Sequence, residues 1–214
     1  MSSDTVPDVE QRRDLVALPK AHLHLHFTGS MRPATLLDLS AKHGIRLPDA
    51  LTSGRPPQLS ATDEKGWFRF QRLYDIARSC VRDADDMRRL VLEAAQDDAA
   101  DGSRWLEIQV DPTSYAVHLG GLTRTLEIVL DAVREAKDQT GIGMAVVVAA
   151  SRIRHALDAR TLARLAVRFA ELRPGEVVGF GLSNDERRGM TEDFAAAFRI
   201  ARRGGLASVP HSGE

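Results

Sequence analysis

The chain has 214 residues, 43% of them hydrophobic, which is enough for one globular domain with a sizeable core. Its 29 Lys and Arg residues balance 30 Asp and Glu residues, and this near-neutral charge argues against a dedicated nucleic-acid-binding protein. A single cysteine, Cys80, excludes an internal disulfide framework. The sequence has no run of about 18 apolar residues for a membrane span and no apolar N-terminal signal. A cytoplasmic protein is therefore expected.

The first half of the chain predicts one strand followed by several helices. Alternating residues favour a strand over 20–27. A helix follows, with Ser30 as its cap, Pro33 in its first turn and Gly44 just past its end. Residues 48–58 are rich in Pro, Gly and Ser and predict a loop. Two further helices have apolar residues spaced three and four positions apart and cover 67–76 and 87–99.

The second half alternates short apolar strands with amphipathic helices. The strands are predicted at 104–110, 144–149, 177–182 and 206–210. The helices between them open at Thr123, Asp158 and Thr191. Because such alternation builds βα units, it predicts a parallel sheet of five strands, with an extra helical stretch between the first and second. We expect a polar tail over 1–15 and a single domain over 16–214.

Three histidines, His22, His24 and His26, occupy alternate positions of the first strand. Since successive side chains of a strand point to opposite faces, we expect all three imidazoles on one face. A buried polar group without a partner costs about 1–3 kcal/mol, and two such histidines can chelate one ion at Zn–N distances of about 2.0–2.1 Å. The strand therefore indicates a metal site, with a hydrogen-bonded or surface-facing histidine strand as the alternative.

Two later segments place polar residues at the ends of strands. His211 follows the fifth strand and Glu214 comes three residues later. The carboxyl edge of a parallel α/β barrel holds its active site, so the pair offers an imidazole ligand and an acid beside it. The alternative for this pair is a turn with a solvated acid. Asp185 and Glu186 follow the fourth strand, where helix capping is the main alternative to ligand binding.

Three segments, in this order, resemble the motifs of the adenosine deaminase family. The first covers 18–33 and reads LPKAHLHLHFTGSMRP, similar to the family's N-terminal zinc motif. The second covers 179–186 and reads GFGLSNDE, similar to GxDLxGDE, and the third covers 210–214 and reads PHSGE, similar to HAGE. The family belongs to the amidohydrolase superfamily. The resemblance implies an α/β fold of the (β/α)8 TIM-barrel type, of which this chain holds about the first five β/α units.

The resemblance also implies the site. One Zn²⁺ ion would be held by His24, His26 and His211, and Glu214 would protonate N1 of a purine. The substrate-binding residues implied in the same way are His26, Asn184 at the purine N3 edge, and the aromatic stretch of Trp67, Phe68 and Phe70 over the sugar pocket. For the aromatic residues, packing of an apolar helix face on the barrel is the alternative.

The implied reaction is hydrolytic deamination of a 6-aminopurine nucleoside, with adenosine and water giving inosine and ammonia. The implied partner is thus a small purine nucleoside, with no nucleic acid and no membrane. Several residues depart from the family's motifs, namely His22 and Thr28 in place of acids, Gly181 in place of aspartate, Asn184 in place of glycine, and Gln109 where arginine is expected. These departures leave adenine, or a larger adenine nucleoside such as aminodeoxyfutalosine, as alternative substrates.

Two further motifs of the family, a histidine in an RIGHG-like segment and a late aspartate pair, have no counterpart in the 214 residues. We therefore expect this chain to be the N-terminal part of such an enzyme, with little activity unless a second chain completes it. A non-catalytic protein that keeps a partial metal site and binds a purine is the alternative.

Overall fold

The computed structural model describes residues 14–15, 17–53 and 65–213, so most of the predicted polar tail lies outside the described residues. Among these residues, five parallel strands form one sheet in which the strands lie side by side in chain order. They are β1 (Lys20–His26), β2 (Ser103–Val110), β3 (Gly143–Ser151), β4 (Val177–Ser183) and β5 (Ala207–Pro210). The prediction of a five-stranded parallel sheet is confirmed.

Within the described residues, eight α-helices connect the strands. They are α1 (Pro33–Lys42), α2 (Asp49–Thr52), α3 (Gly66–Ser79), α4 (Ala84–Ala100), α5 (Ala116–Leu119), α6 (Leu122–Thr140), α7 (Ala156–Leu172) and α8 (Ala195–Arg203). The first four helices lie between β1 and β2, where an extra helical stretch was predicted. In the part of the chain that the structure describes, no helix is long and apolar enough to cross a membrane.

The core lies between one face of the sheet and the helices. α4 packs on β2, α6 and α7 on β3, and α8 on β5. The strands turn large apolar side chains such as Ile108, Val146 and Phe180 toward these helices, where they are fully buried. Burial of this apolar surface between the sheet and the helices is the main favourable contribution to the free energy of folding of such a two-layer arrangement.

The opposite face of the sheet is concave and carries small residues, including Ala149, Gly179 and Gly181. The sheet curls around this face so far that side chains at the carboxyl ends of the two edge strands, β1 and β5, are in contact. The result is a curled half-barrel, which agrees with the predicted partial (β/α)8 barrel.

Two local predictions before α3 were wrong. Ser30 does not cap α1, because its hydroxyl donates to the carbonyl oxygen of Phe27 at 2.8 Å within a 3-10 turn, and α1 begins with Pro33. The loop predicted over 48–58 contains the four-residue helix α2. The last five residues of that loop, 54–58, lie outside the described residues.

Candidate metal centre

A bulge in β1 determines where its histidines point. His22 pairs with Leu106 of β2 and Leu25 pairs with Ile108. The two residues of β1 are three positions apart and their partners only two, so β1 holds one extra residue here. His24 lies within this bulge and has a φ of 69°, in the left-handed region. The extra residue breaks the alternation of the strand, and His22 and His26 therefore point to opposite faces of the sheet.

The expectation that His22 shares a face with the other two histidines was therefore wrong. Nδ1 of His22 lies 2.8 Å from Oδ1 of Asp98, which belongs to α4 on the outer face of the sheet. The other carboxylate oxygen of Asp98 is buried and has no hydrogen-bond partner among the described residues. His22 thus connects β1 to α4, on the side away from the concave face.

His24, His26 and His211 meet at the carboxyl edge of the sheet. Nε2 of His24 lies 2.7 Å from Nε2 of His211. The ring centroids of the three imidazoles are 4.8 to 5.2 Å apart, and one ligand nitrogen from each lies within 4.8 Å of those from the other two. Three converging imidazole nitrogens are a donor set that fits a zinc ion. The structure thus brings together all three histidines that the motifs single out.

The surroundings of His211 favour its neutral form. Its backbone N–H donates to the carbonyl oxygen of Leu182 at 2.8 Å, which fixes the residue beside β4. Burial lowers the pKa of the His211 imidazole, and the positive charge of Arg152 lowers it further against a smaller opposing effect of Glu186. A neutral imidazole keeps the lone pair that a metal ion needs, so this environment favours ligation.

Gln109 of β2 lies directly beside the histidine cluster. It is buried, and its Nε2 lies 3.2 Å from Nε2 of His211. Its Oε1 has no hydrogen-bond partner among the described residues. A Cβ atom at Gly181 would lie 2.7 Å from that oxygen, so the glycine leaves the room that Gln109 occupies. Positions 109 and 181, which both carry residues other than those expected, are therefore neighbours across the concave face.

A cleft with about 200 Å³ of internal space opens beside the cluster, and one face of α3 forms part of its wall. Trp67, Phe70 and Tyr74 line this wall, with successive ring centroids 5.9 and 6.1 Å apart. Their spacing of three and four residues places them on one side of the helix. Phe68 points elsewhere, is 48% exposed and lies 5.5 Å from the guanidinium of Arg187. The structure thus brings Trp67 to the cleft, whereas Phe68 contacts the loop after β4.

A buried hydroxyl pair contributes another part of the cleft. Oγ1 of Thr28 lies 2.6 Å from the phenolic oxygen of Tyr115, and both residues are almost fully buried. Burial raises the pKa of Tyr115 far above its ordinary value, although the hydrogen bond with Thr28 opposes this. The pair is therefore uncharged at any ordinary pH, and it stands at the position where an acid was expected.

The loop after β4 brings Asn184 to the cleft. Asn184 has a φ of 80°, a left-handed conformation that asparagine tolerates better than most residues with a Cβ. Its side-chain oxygen accepts a hydrogen bond from the backbone of Asp185 at 2.8 Å. The carboxylate of Asp185 accepts bonds from the side chain and the backbone of Arg187, and these lower its pKa. Asp185 therefore shapes the loop rather than the cleft.

A second group of possible ligands consists of His43, Asp83 and Asp86. The ammonium of Lys42 already lies between the two carboxylates, 2.7 Å from Asp83 and 2.6 Å from Asp86. The same two aspartates form the capping box at the start of α4. Ion pairing and helix capping explain this cluster without a metal.

The motifs and the described structure do not cover the same residues of the site. Glu214, the expected catalytic acid, lies outside the described residues. Tyr74 and Tyr115 line the cleft but belong to none of the three motifs, and only the helical spacing from Trp67 could have indicated Tyr74. The contact of Arg152 with the end of β5 has no local sequence signal, because it joins residues 59 positions apart.

Comparisons with known proteins find matches over most of the chain. The sequence model of a family described as adenosine deaminase matches residues 19–214. A putative adenosine/adenine deaminase of Streptomyces virginiae is 68% identical over 206 residues, which are 96% of this chain and 60% of that protein. The aminodeoxyfutalosine deaminase of Acidothermus cellulolyticus is 30% identical, over 92% of this chain and 54% of its own length.

A solved structure has the same fold over the described sheet and helices. The crystal structure of an amidohydrolase from Burkhoderia ambifaria with bound Zn has a TM-score of 0.77 and is 25% identical. The match covers 94% of this chain and 53% of that one. The chain thus spans about 60% of the length of the first curated relatives it matches.

Proposed function

The chain belongs to the adenosine deaminase family, and on that premise we propose that its site hydrolyses the exocyclic amino group of a 6-aminopurine with one zinc ion. The observation that carries the proposal is the convergence of His24, His26 and His211 at the carboxyl edge of the sheet, next to a cleft with an aromatic wall. In parallel α/β barrels, catalytic groups lie at this edge.

The three histidines would hold the ion through imidazole nitrogens. A zinc ion bound there supplies an activated water at neutral pH, since it lowers the pKa of that water to about 7. The protein's part is to keep the imidazoles neutral and convergent. The lowered pKa of His211 and the short distance between His24 and His211 support this role.

The remaining residues orient the purine and move a proton. The rings of Trp67, Phe70 and Tyr74 line the cleft and would offer flat apolar surface to the base, and Asn184, which also lines the cleft, would contact the edge of the base. Glu214 donates a proton to N1, which makes C6 electrophilic. Addition of water forms a C–O bond at C6, and one proton of that water passes to the exocyclic nitrogen, which leaves as ammonia when the C–N bond breaks. The other proton returns to Glu214, and the product is a 6-oxopurine.

Adenosine is the first candidate substrate, and the hydroxyl pair of Thr28 and Tyr115 supports a second. An acid in place of Thr28 helps to bind the sugar in related proteins, as the motif resemblance implies. Here Thr28 is buried and its hydroxyl is already bonded to Tyr115. This neutral wall favours adenine, which has no sugar, as the second candidate. A larger adenine nucleoside such as aminodeoxyfutalosine is a third candidate.

The test compares turnover and binding. The 214-residue chain, and the chain extended by the sequence that follows it in its gene, are loaded with zinc and given adenosine, adenine and aminodeoxyfutalosine. We expect an ultraviolet absorbance change and ammonia release from one of the three, and its loss in His26→Ala. A folded, zinc-loaded protein that deaminates none of the three in either form would contradict the proposal, and purine binding without turnover would support the non-catalytic alternative.

A further inference from the structure

Arg152 is a buried cation at the carboxyl end of the sheet. It directly follows β3, is 3% exposed, and its backbone N–H donates to the carbonyl oxygen of Ser183 at 2.9 Å. Among the described residues, no carboxylate lies within ion-pair distance of its guanidinium. Its Nε is buried and has no hydrogen-bond partner in the same part of the chain.

The guanidinium instead contacts uncharged acceptors from two other elements. Its Nη2 donates to the backbone carbonyl oxygen of His211 at 2.6 Å. Its Nη1 donates to the carbonyl oxygen of Gly189 at 3.1 Å and to the hydroxyl of Thr191 at 2.9 Å. One side chain therefore joins the end of β3, the loop after β4, and the end of β5.

The loop after β4 lies close against Arg152. A Cβ atom at Gly189 would overlap with the carbonyl oxygen of Arg152 and lie 3.1 Å from its Cβ. Only glycine fits there without a shift of the loop. The same loop carries Asn184, which lines the cleft, so the contact at Gly189 fixes one wall of the site.

Burial of a guanidinium without a carboxylate is an expensive way to stabilise a fold. Carbonyl and hydroxyl oxygens compensate only part of the lost hydration, and an apolar side chain of similar volume would avoid that loss. Two of the three hydrogen bonds of the guanidinium go to the backbone carbonyl oxygens of His211 and Gly189, and the third goes to the Thr191 hydroxyl in the same loop as Gly189. The hydrogen bonds of Arg152 are therefore better explained by a role in positioning the site than by a contribution to the general stability of the fold.

We propose that Arg152 is a positioning residue that fixes His211 for metal binding and the loop of Asn184 for purine binding. The inference rests on the proposed function, because it concerns the same metal and purine. Nη2 acts on the end of β5, and Nη1 acts on the loop after β4. The two effects are separable by substitution.

The experiment measures metal affinity and purine affinity in the full chain. Arg152→Met and Arg152→Lys are compared with the parent by competition titration with zinc and by the visible spectrum of the Co²⁺ form. Arg152→Met should weaken zinc binding about 10–100-fold and change the Co²⁺ spectrum, as is typical for loss of a residue that orients a ligand. Arg152→Lys keeps the charge but cannot reach both sides, so it should restore only part of the affinity.

Thr191→Val separates the two effects. It removes one acceptor of Nη1 and leaves the bond from Nη2 to His211 intact. We expect unchanged zinc affinity and weaker adenosine binding, by about 3–10-fold, the loss of roughly one hydrogen bond. Arg88→Met is the control, since Arg88 pairs with exposed Asp85 on α4 and should alter neither affinity.

Folding is checked for every variant by circular dichroism and thermal unfolding. If Arg152→Met does not fold, Arg152→Lys decides by the same criterion. Folded Arg152 variants with the zinc affinity and Co²⁺ spectrum of the parent would overturn the inference. A parent chain that binds no zinc would instead contradict the proposed function, so the two failures are distinguishable.

Discussion

Nε2 of His24 and Nε2 of His211 lie 2.7 Å apart although 187 positions separate the two residues in the sequence. His24 belongs to β1 and His211 directly follows β5, and these are the two edge strands of the sheet. In a flat sheet of five strands these edges would be about 19 Å apart, because neighbouring strands are spaced by about 4.8 Å. The contact therefore depends on the curl of the sheet, and the histidines of the candidate metal centre converge only in the half-barrel.

The contact between Gln109 and Gly181 makes a first prediction. Gly181→Ala adds a methyl group 2.7 Å from Oε1 of Gln109 and 3.3 Å from the carbonyl oxygen of Val209. The side chain of Gln109 must then shift, and the free energy of unfolding should fall by about 1–3 kcal/mol, as for other overpacked sites. Urea denaturation measures the change.

A double variant is the control for this prediction. Gln109→Ser shortens the side chain that the new methyl group meets. We expect Gly181→Ala to cost at least about 1 kcal/mol less in the Gln109→Ser background than in the parent. Additive effects of the two substitutions would show that the side chains do not compete for this space.

The buried pair of Thr28 and Tyr115 makes a second prediction. Tyr115→Phe removes the phenolic oxygen and leaves the Thr28 hydroxyl buried without that partner. The free energy of unfolding should fall by about 1–2 kcal/mol, the usual cost of an unsatisfied buried hydroxyl. Since burial raises the pKa of Tyr115 far above its usual value, the loss should be constant from about pH 6 to about pH 9.

Thr28→Val serves as the matched variant, because it removes the hydroxyl and keeps the shape of the side chain. The double variant Thr28→Val with Tyr115→Phe leaves neither polar group unpaired. It should lose less stability than the sum of the two single variants. Full stability of Tyr115→Phe alone would rule out a strong bond between these residues.

Asp86 makes a third prediction, on pH. Burial tends to raise its pKa, but hydrogen bonds from Lys42, the backbone of Arg82 and the ring of His43 outweigh this and hold the pKa below its ordinary value. The folded pKa is thus below that of the unfolded chain, about 3.9, so the ionised form stabilises the fold above about pH 4 and this contribution is lost as the pH falls further.

Asp86→Asn should lower the free energy of unfolding by about 1–3 kcal/mol at neutral pH. The difference from the parent should shrink as the pH falls below about 4. Asp85→Asn is the control on the same helix turn, because Asp85 is 86% exposed. A difference that stays constant down to about pH 2 would exclude the ionised carboxylate as the cause.

Much of the fold follows from local patterns. The β-branched runs at 144–149 and 177–182 lie within β3 and β4, and the alternation of strands and helices gives the parallel sheet. The motif residues His24, His26 and His211 come together because each lies near or just beyond the carboxyl end of a strand at the same edge of that sheet. Such features depend on hydrophobic periodicity and on strand direction, which the sequence displays directly.

What escaped prediction depends on contacts between distant segments. The bulge at His24 comes from the register of β1 against β2, and strict alternation along one strand could not reveal that His22 faces α4. Likewise, the fit between Gln109 and Gly181 requires two strands to meet across a concave face. Sequence reasoning recorded both residues as unusual, but their proximity is a property of the curled sheet.

The most direct measurement is the amount and affinity of zinc bound by the chain and by three histidine variants. His24→Ala and His211→Ala each remove one nitrogen of the cluster, whereas His22→Asn alters the same strand on its other face and keeps a donor for Asp98. The parent and His22→Asn should bind one zinc ion per chain, and the other two variants should bind it more than about 100-fold more weakly. Equal zinc content and affinity in His24→Ala, His211→Ala and the parent would contradict a metal centre formed between β1 and β5.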